Sequence, residues 1–450
     1  MTPADLPLDE AARALRSGAL SARDLMAAHL DRIDRRDGDI HAFVHLDREA
    51  ALGAAEAADA ALAAGTDLGP LHGLPFAVKD LIDVAGQPTH CGSRASDAGP
   101  AAVHAAAVAR LVAAGAIPLG KVATYEYALT GPSFDGPSPP PRNPWSAAQS
   151  TGGSSSGSAA AVAAGLVRVA LGTDTGGSVR SPAAWCGVVG LKPTRGLLPM
   201  QGVFPLSPGL DHLGVLAATV PEAAAVLAAL APGSDAAGTL GGGVEGLSIG
   251  YARDWVADDP AAAPAVVRAL DDAAAALSML GARVALIGMP DYALAEAAGA
   301  VILHAEALKA HPALAARWQH YGRQARQSLS AGVGLTPEDV ARAWRRADRL
   351  RDEIDAILAR HDVILTATTL TAAPELPSPP AEETAWSPMR TLPFNLTGHP
   401  AMSVPMGFDG GLPLGLQIVG RRGDEATVCR VAAAFEAATG HAAARPYLPA

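Results

Sequence analysis

The sequence predicts an α/β protein with one central mixed, mostly parallel β-sheet that is covered by helices on both faces. Three observations predict this fold. Short apolar runs of strand length alternate with longer Ala- and Leu-rich stretches of helical periodicity. Hydrophobic residues make up 49% of the 450 residues, which is enough for one large core. No internal repeat divides the chain.

The predicted elements follow one another along the chain. Residues 4–64 are expected to be helical, because Ala, Leu and Arg recur there at three- and four-residue spacing. Later strands are predicted at 74–78, 116–119, 168–171, 247–251, 283–287, 362–369 and 415–419. Later helices are predicted at 103–115, 159–166, 221–231, 260–280, 291–330, 336–360 and 424–438. The Pro-rich stretch 370–400 is predicted to be a long surface loop.

Composition excludes several classes of protein. The net charge of −11, the 4% aromatic content and the lack of a basic cluster argue against a nucleic-acid binder. The three cysteines, Cys91, Cys186 and Cys429, form no CxxC pair, so neither a disulfide framework nor a zinc site is expected. No His spacing suggests a metal ligand set. The N-terminus does not resemble a signal peptide, and no apolar run approaches the roughly 20 residues of a membrane span. We therefore expect a cytoplasmic protein without membrane contact.

Two glycine- and serine-rich turns stand out from the rest of the sequence. Residues 152–158 read GGSSSGS and residues 172–178 read GTDTGGS. They bracket one predicted helix–strand unit. Linkers do not usually occur in such pairs, so the two turns are the first candidates for a site.

One arrangement within these turns is a G-x-S-x-G nucleophile elbow, with Ser155 at its centre. The elbow requires a strand directly before the serine. Pro, Asn, Gln and Ser precede this one, which does not indicate a strand, so the elbow is disfavoured. A Ser-His-Asp triad built on Asp211 and His212 is also disfavoured, because adjacent residues do not normally orient each other across an imidazole.

A third arrangement uses Ser178 as nucleophile. Small residues before it let successive backbone N–H groups converge on an oxyanion. A serine hydroxyl needs a base, and a buried lysine can serve because desolvation lowers its pKa. Lys79 ends an apolar predicted strand, and Ser154 could relay the proton between them. The residues alone leave phosphate binding as an alternative function of these turns, although neither turn carries the G-K-[ST] ending of a P-loop.

The chain resembles the amidase-signature family over most of its length, from about residue 10 to 440. The matching blocks are LHGLPFAVKD at 71–80, GGSSSGS at 152–158, GTDTGGSVR at 172–180, CG at 186–187, GLKPT at 190–194, PFNLTGHP at 393–400 and GLQ at 415–417. Blocks of this length are far more specific than a lone G-x-S-x-G.

The resemblance implies a role for each matching residue. It makes Lys79 the base, Ser154 a bridging serine that follows a cis peptide bond at Gly153, and Ser178 the nucleophile. The oxyanion hole falls on the backbone of Thr175, Gly176, Gly177 and Ser178.

The resemblance also places residues around the triad. Tyr125 and Gly131 lie in a block similar to the one that lines the family's acyl pocket. Asp174 and Arg180 are expected to brace the nucleophile loop rather than to touch substrate. Ser156 stands where many relatives have glycine, a departure that leaves the triad intact.

The function implied is that of an amidohydrolase that cleaves a carboxamide C–N bond through an acyl-enzyme, without a cofactor. The resemblance implies a single amidase-signature domain over 1–450, with an N-terminal helical segment at about 4–64, a catalytic core at about 70–215 and a C-terminal α/β part at about 216–450. The expected partner is a small-molecule amide or carbamate, and a homodimer is possible.

Aryl carbamates (a urethanase) and esters are alternative substrates for the same triad. A further alternative is the A subunit of a tRNA-dependent amidotransferase, against which the acidic charge and the lack of an appended domain argue. A catalytically silent binding protein is disfavoured by the intact triad.

Overall fold

The computed structural model describes residues 2–97, 99–376 and 388–446. Its centre is an 11-stranded sheet, and a two-stranded sheet lies apart from it. The strands are β1 (Phe43–Leu46), β2 (Pro75–Lys79), β3 (Ile117–Val122), β4 (Arg142–Asn143), β5 (Ser146–Ser150), β6 (Val169–Asp174), β7 (Val189–Lys192), β8 (His212–Ala217), β9 (Ser248–Tyr251), β10 (Arg283–Leu286), β11 (Val363–Ala367), β12 (Ala401–Asp409) and β13 (Leu412–Gly420).

Helices flank this sheet, as the alternating pattern of the sequence predicts. They are α1 (Leu8–Ser17), α2 (Ala22–Ile40), α3 (Arg48–Ala63), α4 (Ala106–Ala113), α5 (Ser156–Ala163), α6 (Arg180–Cys186), α7 (Val220–Leu230), α8 (Asp254–Ala257), α9 (Pro264–Met279), α10 (Tyr292–Ala310), α11 (Leu314–Arg317), α12 (Arg323–Ser330), α13 (Pro337–Leu358), α14 (Pro393–Thr397) and α15 (Glu425–Thr439). In the described residues, no helix is both long and apolar enough to cross a membrane.

The large sheet has the strand order β1-β3-β2-β6-β8-β7-β12-β13-β11-β9-β10. It is mixed, as predicted, but the expectation that it is mostly parallel needs correction. Parallel pairing is confined to β3–β2–β6 and β11–β9–β10, and the other described neighbours pair antiparallel. The antiparallel centre contains β7, β8 and β12, three strands that the sequence analysis did not predict.

Two predicted segments contain more structure than expected. Within 4–64, β1 interrupts the helices and pairs antiparallel with β3 at the edge of the sheet. Within the predicted loop 370–400, α14 forms a short buried helix. The part of that loop at 377–387 lies outside the described residues.

The strands β2 and β6 position the candidate site. They are neighbours in parallel, with Ala77 paired to Ala170 and Val78 to Leu171. The carboxyl ends of neighbouring parallel strands meet at one edge of a sheet, which is where open α/β sheets bind ligands. Lys79 and Asp174 are the last residues of these two strands.

Candidate active site

Lys79 is held at the end of a strand with no exposed residue. All five residues of β2 are buried, and the Lys79 side chain is fully enclosed. Its Nζ donates to Ser154 Oγ at 2.8 Å and to Thr173 Oγ1 at 2.8 Å. The structure therefore brings Lys79 and Ser154 together, although 75 residues separate them in the chain.

Burial changes the acid–base properties of Lys79. Desolvation lowers the pKa of its ammonium group to about 7, and the more distant charges of Asp174 and Asp211 oppose that shift. Burial disfavours the charged form of an amine, so this direction is the expected one. A lysine with a pKa near 7 is available as a neutral base at physiological pH.

Ser154 lies in the first glycine turn, just before α5. The Gly153–Ser154 peptide bond is cis, as the family pattern implies. The Ser154 carbonyl accepts a hydrogen bond from the Tyr125 amide at 3.1 Å. Ser154 thus contacts Lys79 through its side chain and Tyr125 through its backbone.

Ser178 lies in the turn between β6 and α6. Its carbonyl accepts a hydrogen bond from the Ser155 amide at 3.1 Å, which ties the two glycine turns together. Its side chain is half-buried and lines the same cavity as Ser154. Its hydroxyl makes no hydrogen bond within the described residues, so it is available to a molecule in the cavity.

The structure corrects one member of the predicted oxyanion hole. The Gly177 amide donates to Asp174 Oδ1 at 2.8 Å, so it is not available to a ligand. The amides of Thr175, Gly176 and Ser178 have no acceptor in the described part of the chain, and all three residues line the cavity. The expectation for the oxyanion hole therefore narrows to these three amides.

Asp174 and Arg180 brace this loop, as expected. Both side chains are fully buried, and Arg180 Nη2 lies 2.8 Å from Asp174 Oδ1. Arg180 also donates to the side chains of Asn395 and Gln417 at 2.7 Å. Burial acts to raise the pKa of Asp174, but the Arg180 guanidinium overcomes it and keeps that pKa well below its ordinary value. Neither Asp174 nor Arg180 lines the cavity.

The two arrangements that the sequence analysis disfavoured do not form sites. Ser155 is fully buried, and its hydroxyl donates to the Thr173 carbonyl at 3.1 Å. A strand, β5, does precede Ser155, contrary to expectation. That strand belongs to the separate two-stranded sheet and ends at Ser150. Asp211 accepts from the Thr175 hydroxyl at 2.6 Å, and His212 Nδ1 instead contacts the Leu210 carbonyl.

We call the space in front of Ser178 the Ser178 cavity. Its volume is about 260 Å³. Tyr125 and Gly131, both predicted to bind substrate, line it. The Tyr125 ring lies against both Gly131 and Gly153, and a Cβ on either glycine would collide with the ring. The absence of a side chain at these two glycines therefore leaves room for the Tyr125 ring, which forms an aromatic wall of the cavity.

Sequence reasoning missed the opposite wall. One face of α10 contributes Tyr292, Glu296, Gly299, Leu303 and His304 to the cavity. The spacing of three, four and seven residues is the signal of a single helix face. Because the helix is rich in alanine, that face is indistinguishable in sequence from an ordinary packing surface.

Comparison with known proteins identifies the family of this chain. The amidase family model matches residues 24–429. The chain belongs to the amidase family. Among its curated relatives, the A subunit of a glutamyl-tRNA(Gln) amidotransferase from Chloroflexus aggregans is 36% identical, with 98% of each chain covered.

Solved structures place this amidase-family chain among amidase-signature enzymes. A chain from a vestigial protein complex, studied for the origins of an s-triazine catabolic enzyme, superposes with a TM-score of 0.90 at 33% identity, covering 98% of this chain and all of that one. An amidase crystal structure superposes with a TM-score of 0.86 at 34% identity, covering 96% and 99%. The amidase fold therefore extends over nearly the whole chain.

Proposed function

We propose that this protein is an amidohydrolase that cleaves a carboxamide C–N bond through an acyl-enzyme on Ser178. The observation that carries the proposal is the 2.8 Å contact from Lys79 Nζ to Ser154 Oγ, at the side of the cavity that Ser178 lines. Nucleophilic catalysis without histidine requires three groups: a lysine of pKa about 7, a hydroxyl that relays the proton, and a serine whose own hydroxyl makes no hydrogen bond.

In the proposed reaction, neutral Lys79 takes a proton from Ser154 as Ser154 takes one from Ser178. The Ser178 oxygen forms a bond to the carbonyl carbon, and the carbonyl electron pair becomes an oxyanion. The amides of Gly176 and Ser178, with that of Thr175 beside them, donate to the oxyanion. The proton then returns through Ser154 to the leaving nitrogen as the C–N bond breaks. Water releases the acid by the same relay in reverse.

A second candidate function is that of an amidotransferase A subunit. The relative from Chloroflexus aggregans, whose name gives it that role, favours it. The length of the chain does not argue against this role, because the chain spans 98% of that relative. The amidase structure at 34% identity favours the hydrolase equally well. The two roles differ in whether the chain needs a partner to act.

The deciding experiment is a substrate panel given to the purified chain without ATP, tRNA or partner. The panel contains a primary amide, an anilide, glutamine, an aryl carbamate and a p-nitrophenyl ester, with S178A as the control. We expect hydrolysis of the simple amides and its loss in S178A. Failure of the chain alone to hydrolyse any amide of the panel would favour the amidotransferase role, which needs a partner. Cleavage of the carbamate without the amides would identify a urethanase, and undiminished activity of S178A would refute the acyl-enzyme.

A further inference from the structure

The α10 wall of the Ser178 cavity carries one acidic side chain, Glu296. Glu296 lies one helical turn after Tyr292 and one turn before Ala300, on the face that lines the cavity. Its side chain is half-buried. Within the described part of the chain it makes no hydrogen bond and no ion pair. A half-buried carboxylate without a partner is unusual, because proteins normally pair such charges.

The nearby cation does not neutralise Glu296. Arg390 lies over the Tyr292 ring, 4.5 Å from its centroid. Its guanidinium donates to Asp259 Oδ2 at 2.6 Å and to the Trp255 carbonyl at 2.9 Å. Arg390 does not line the Ser178 cavity. Its charge is already balanced by Asp259.

The other described residues that line the cavity are neutral. None of them is a lysine or an arginine. Burial lowers the pKa of His304, against a hydrogen bond to the Ser328 backbone, so its imidazole is uncharged near pH 7. Burial also raises the pKa of the phenols of Tyr125 and Tyr292, which keeps them protonated. Among the described residues that line the cavity, Glu296 is therefore the only acidic side chain, and it is the source of negative charge there.

Glu296 also reaches the outside of the molecule. With Tyr292 it borders an open groove of about 860 Å³. Asp258 and Asp291 line this groove without an ion-pair partner among the described residues, whereas Asp254 is paired with Arg253 at 3.6 Å. The one described cation of the groove is the Arg390 already paired with Asp259. A positively charged molecule that enters along the groove meets negative charge up to the cavity.

We propose that Glu296 is a specificity-determining residue that selects substrates with an ammonium group remote from the scissile amide and disfavours substrates with a carboxylate there. This inference rests on the proposed function for the identity of the bound molecule as substrate. The carboxylate of Glu296 would accept hydrogen bonds from the ammonium group, and such charge-assisted bonds are about twice as strong as neutral ones.

The test is a matched set of linear primary amides of equal length that end in an ammonium, a methyl or a carboxylate group. We expect the wild-type kcat/KM for the ammonium amide to exceed that for the carboxylate amide by about tenfold or more, which corresponds to about 1.4 kcal/mol. E296Q should reduce this ratio to near one, and E296D should keep most of it. The control E338Q removes the same charge from an exposed position on α13 and should leave the ratio unchanged.

Binding to S178A separates this inference from the proposed function. Calorimetry measures the affinity of the ammonium and carboxylate amides for S178A and for the S178A/E296Q double variant. If no amide is hydrolysed but S178A prefers the ammonium compound and the double variant does not, only the proposed function fails. A wild-type ratio near one, or a ratio that survives in E296Q, would overturn the role of Glu296.

Discussion

Lys79 Nζ donates a hydrogen bond to Ser154 Oγ at 2.8 Å, and within the described residues Lys79 has no carboxylate at ion-pair distance. A buried ammonium normally has a carboxylate partner, as Lys121 has in Asp80 at 3.2 Å. Lys79 instead has two hydroxyl neighbours, Ser154 and Thr173. Because hydroxyl groups stabilise an ammonium less than a carboxylate does, burial is free to lower its pKa.

The first prediction concerns pH. Burial lowers the pKa of Lys79 to about 7, and the relay uses the neutral amine, so kcat/KM should rise through about pH 7 and level off above it. Rate measurements on a simple amide from about pH 5.5 to about 9 check this. K79R, whose guanidinium stays charged, should lose about 100-fold or more, whereas K309R at an exposed position of α10 should not. A flat profile across this range would contradict lysine as the base.

The second prediction concerns the stability cost of the same lysine. The folded-state pKa of about 7 lies below the ordinary value of 10.5, so between these values the unfolded chain binds a proton that the folded chain lacks. The free energy of unfolding of the wild type should therefore rise with pH across this window relative to K79M, and the full cost should be present below about pH 7.

Urea unfolding of both proteins measures this difference. K79M should be the more stable protein at pH 7, and its advantage should shrink by about 2 kcal/mol at pH 9. A constant difference between wild type and K79M at the two pH values would show that Lys79 has an ordinary pKa in the folded protein.

The third prediction separates the serines of the two turns. S178A and S154A should each lose nearly all turnover, because each removes a member of the relay. S155A is the matched control, since Ser155 bonds to the Thr173 backbone and lies outside the cavity. It should keep activity while losing about 1 kcal/mol of stability with its hydrogen bond. Mass spectrometry of a trapped acyl-enzyme should locate the adduct on Ser178. An adduct on Ser155 would instead support the nucleophile elbow, in which Ser155 is the nucleophile.

The fourth prediction compares two adjacent glycines. Gly177 has a φ of +133°, and a Cβ there would collide with Thr391 Oγ1. At Gly176 the φ is ordinary, and a Cβ would meet Leu392 Cδ1 at 3.5 Å, an ordinary contact. G177A should therefore lower the free energy of unfolding by more than about 1 kcal/mol, and G176A should change it much less. Equal stabilities of G177A and G176A in thermal unfolding would contradict the strain at Gly177.

Much of the architecture could be predicted from sequence where the signal is local. All seven strands predicted after residue 64 occur, because each is an apolar run bounded by turn residues. The β12–β13 hairpin was missed although Gly410–Gly411 joins its strands with two positive φ angles, a recognised hairpin signal. The strands β7 and β8 have no comparable turn signal in the sequence. They pair antiparallel with their neighbours and so make the centre of the sheet antiparallel.

The sequence by itself located the residues of the proposed chemistry: Lys79 at the end of an apolar strand, and Ser154 and Ser178 in two glycine turns. These are local patterns, and their resemblance to one family implies a role for each. Only the tertiary structure decided which groups are available. The Asp174 carboxylate accepts the hydrogen bond of the Gly177 amide, and Glu296 of α10 lines the cavity. The direction of an amide and the charge within the Ser178 cavity depend on contacts between distant segments, which no local pattern encodes.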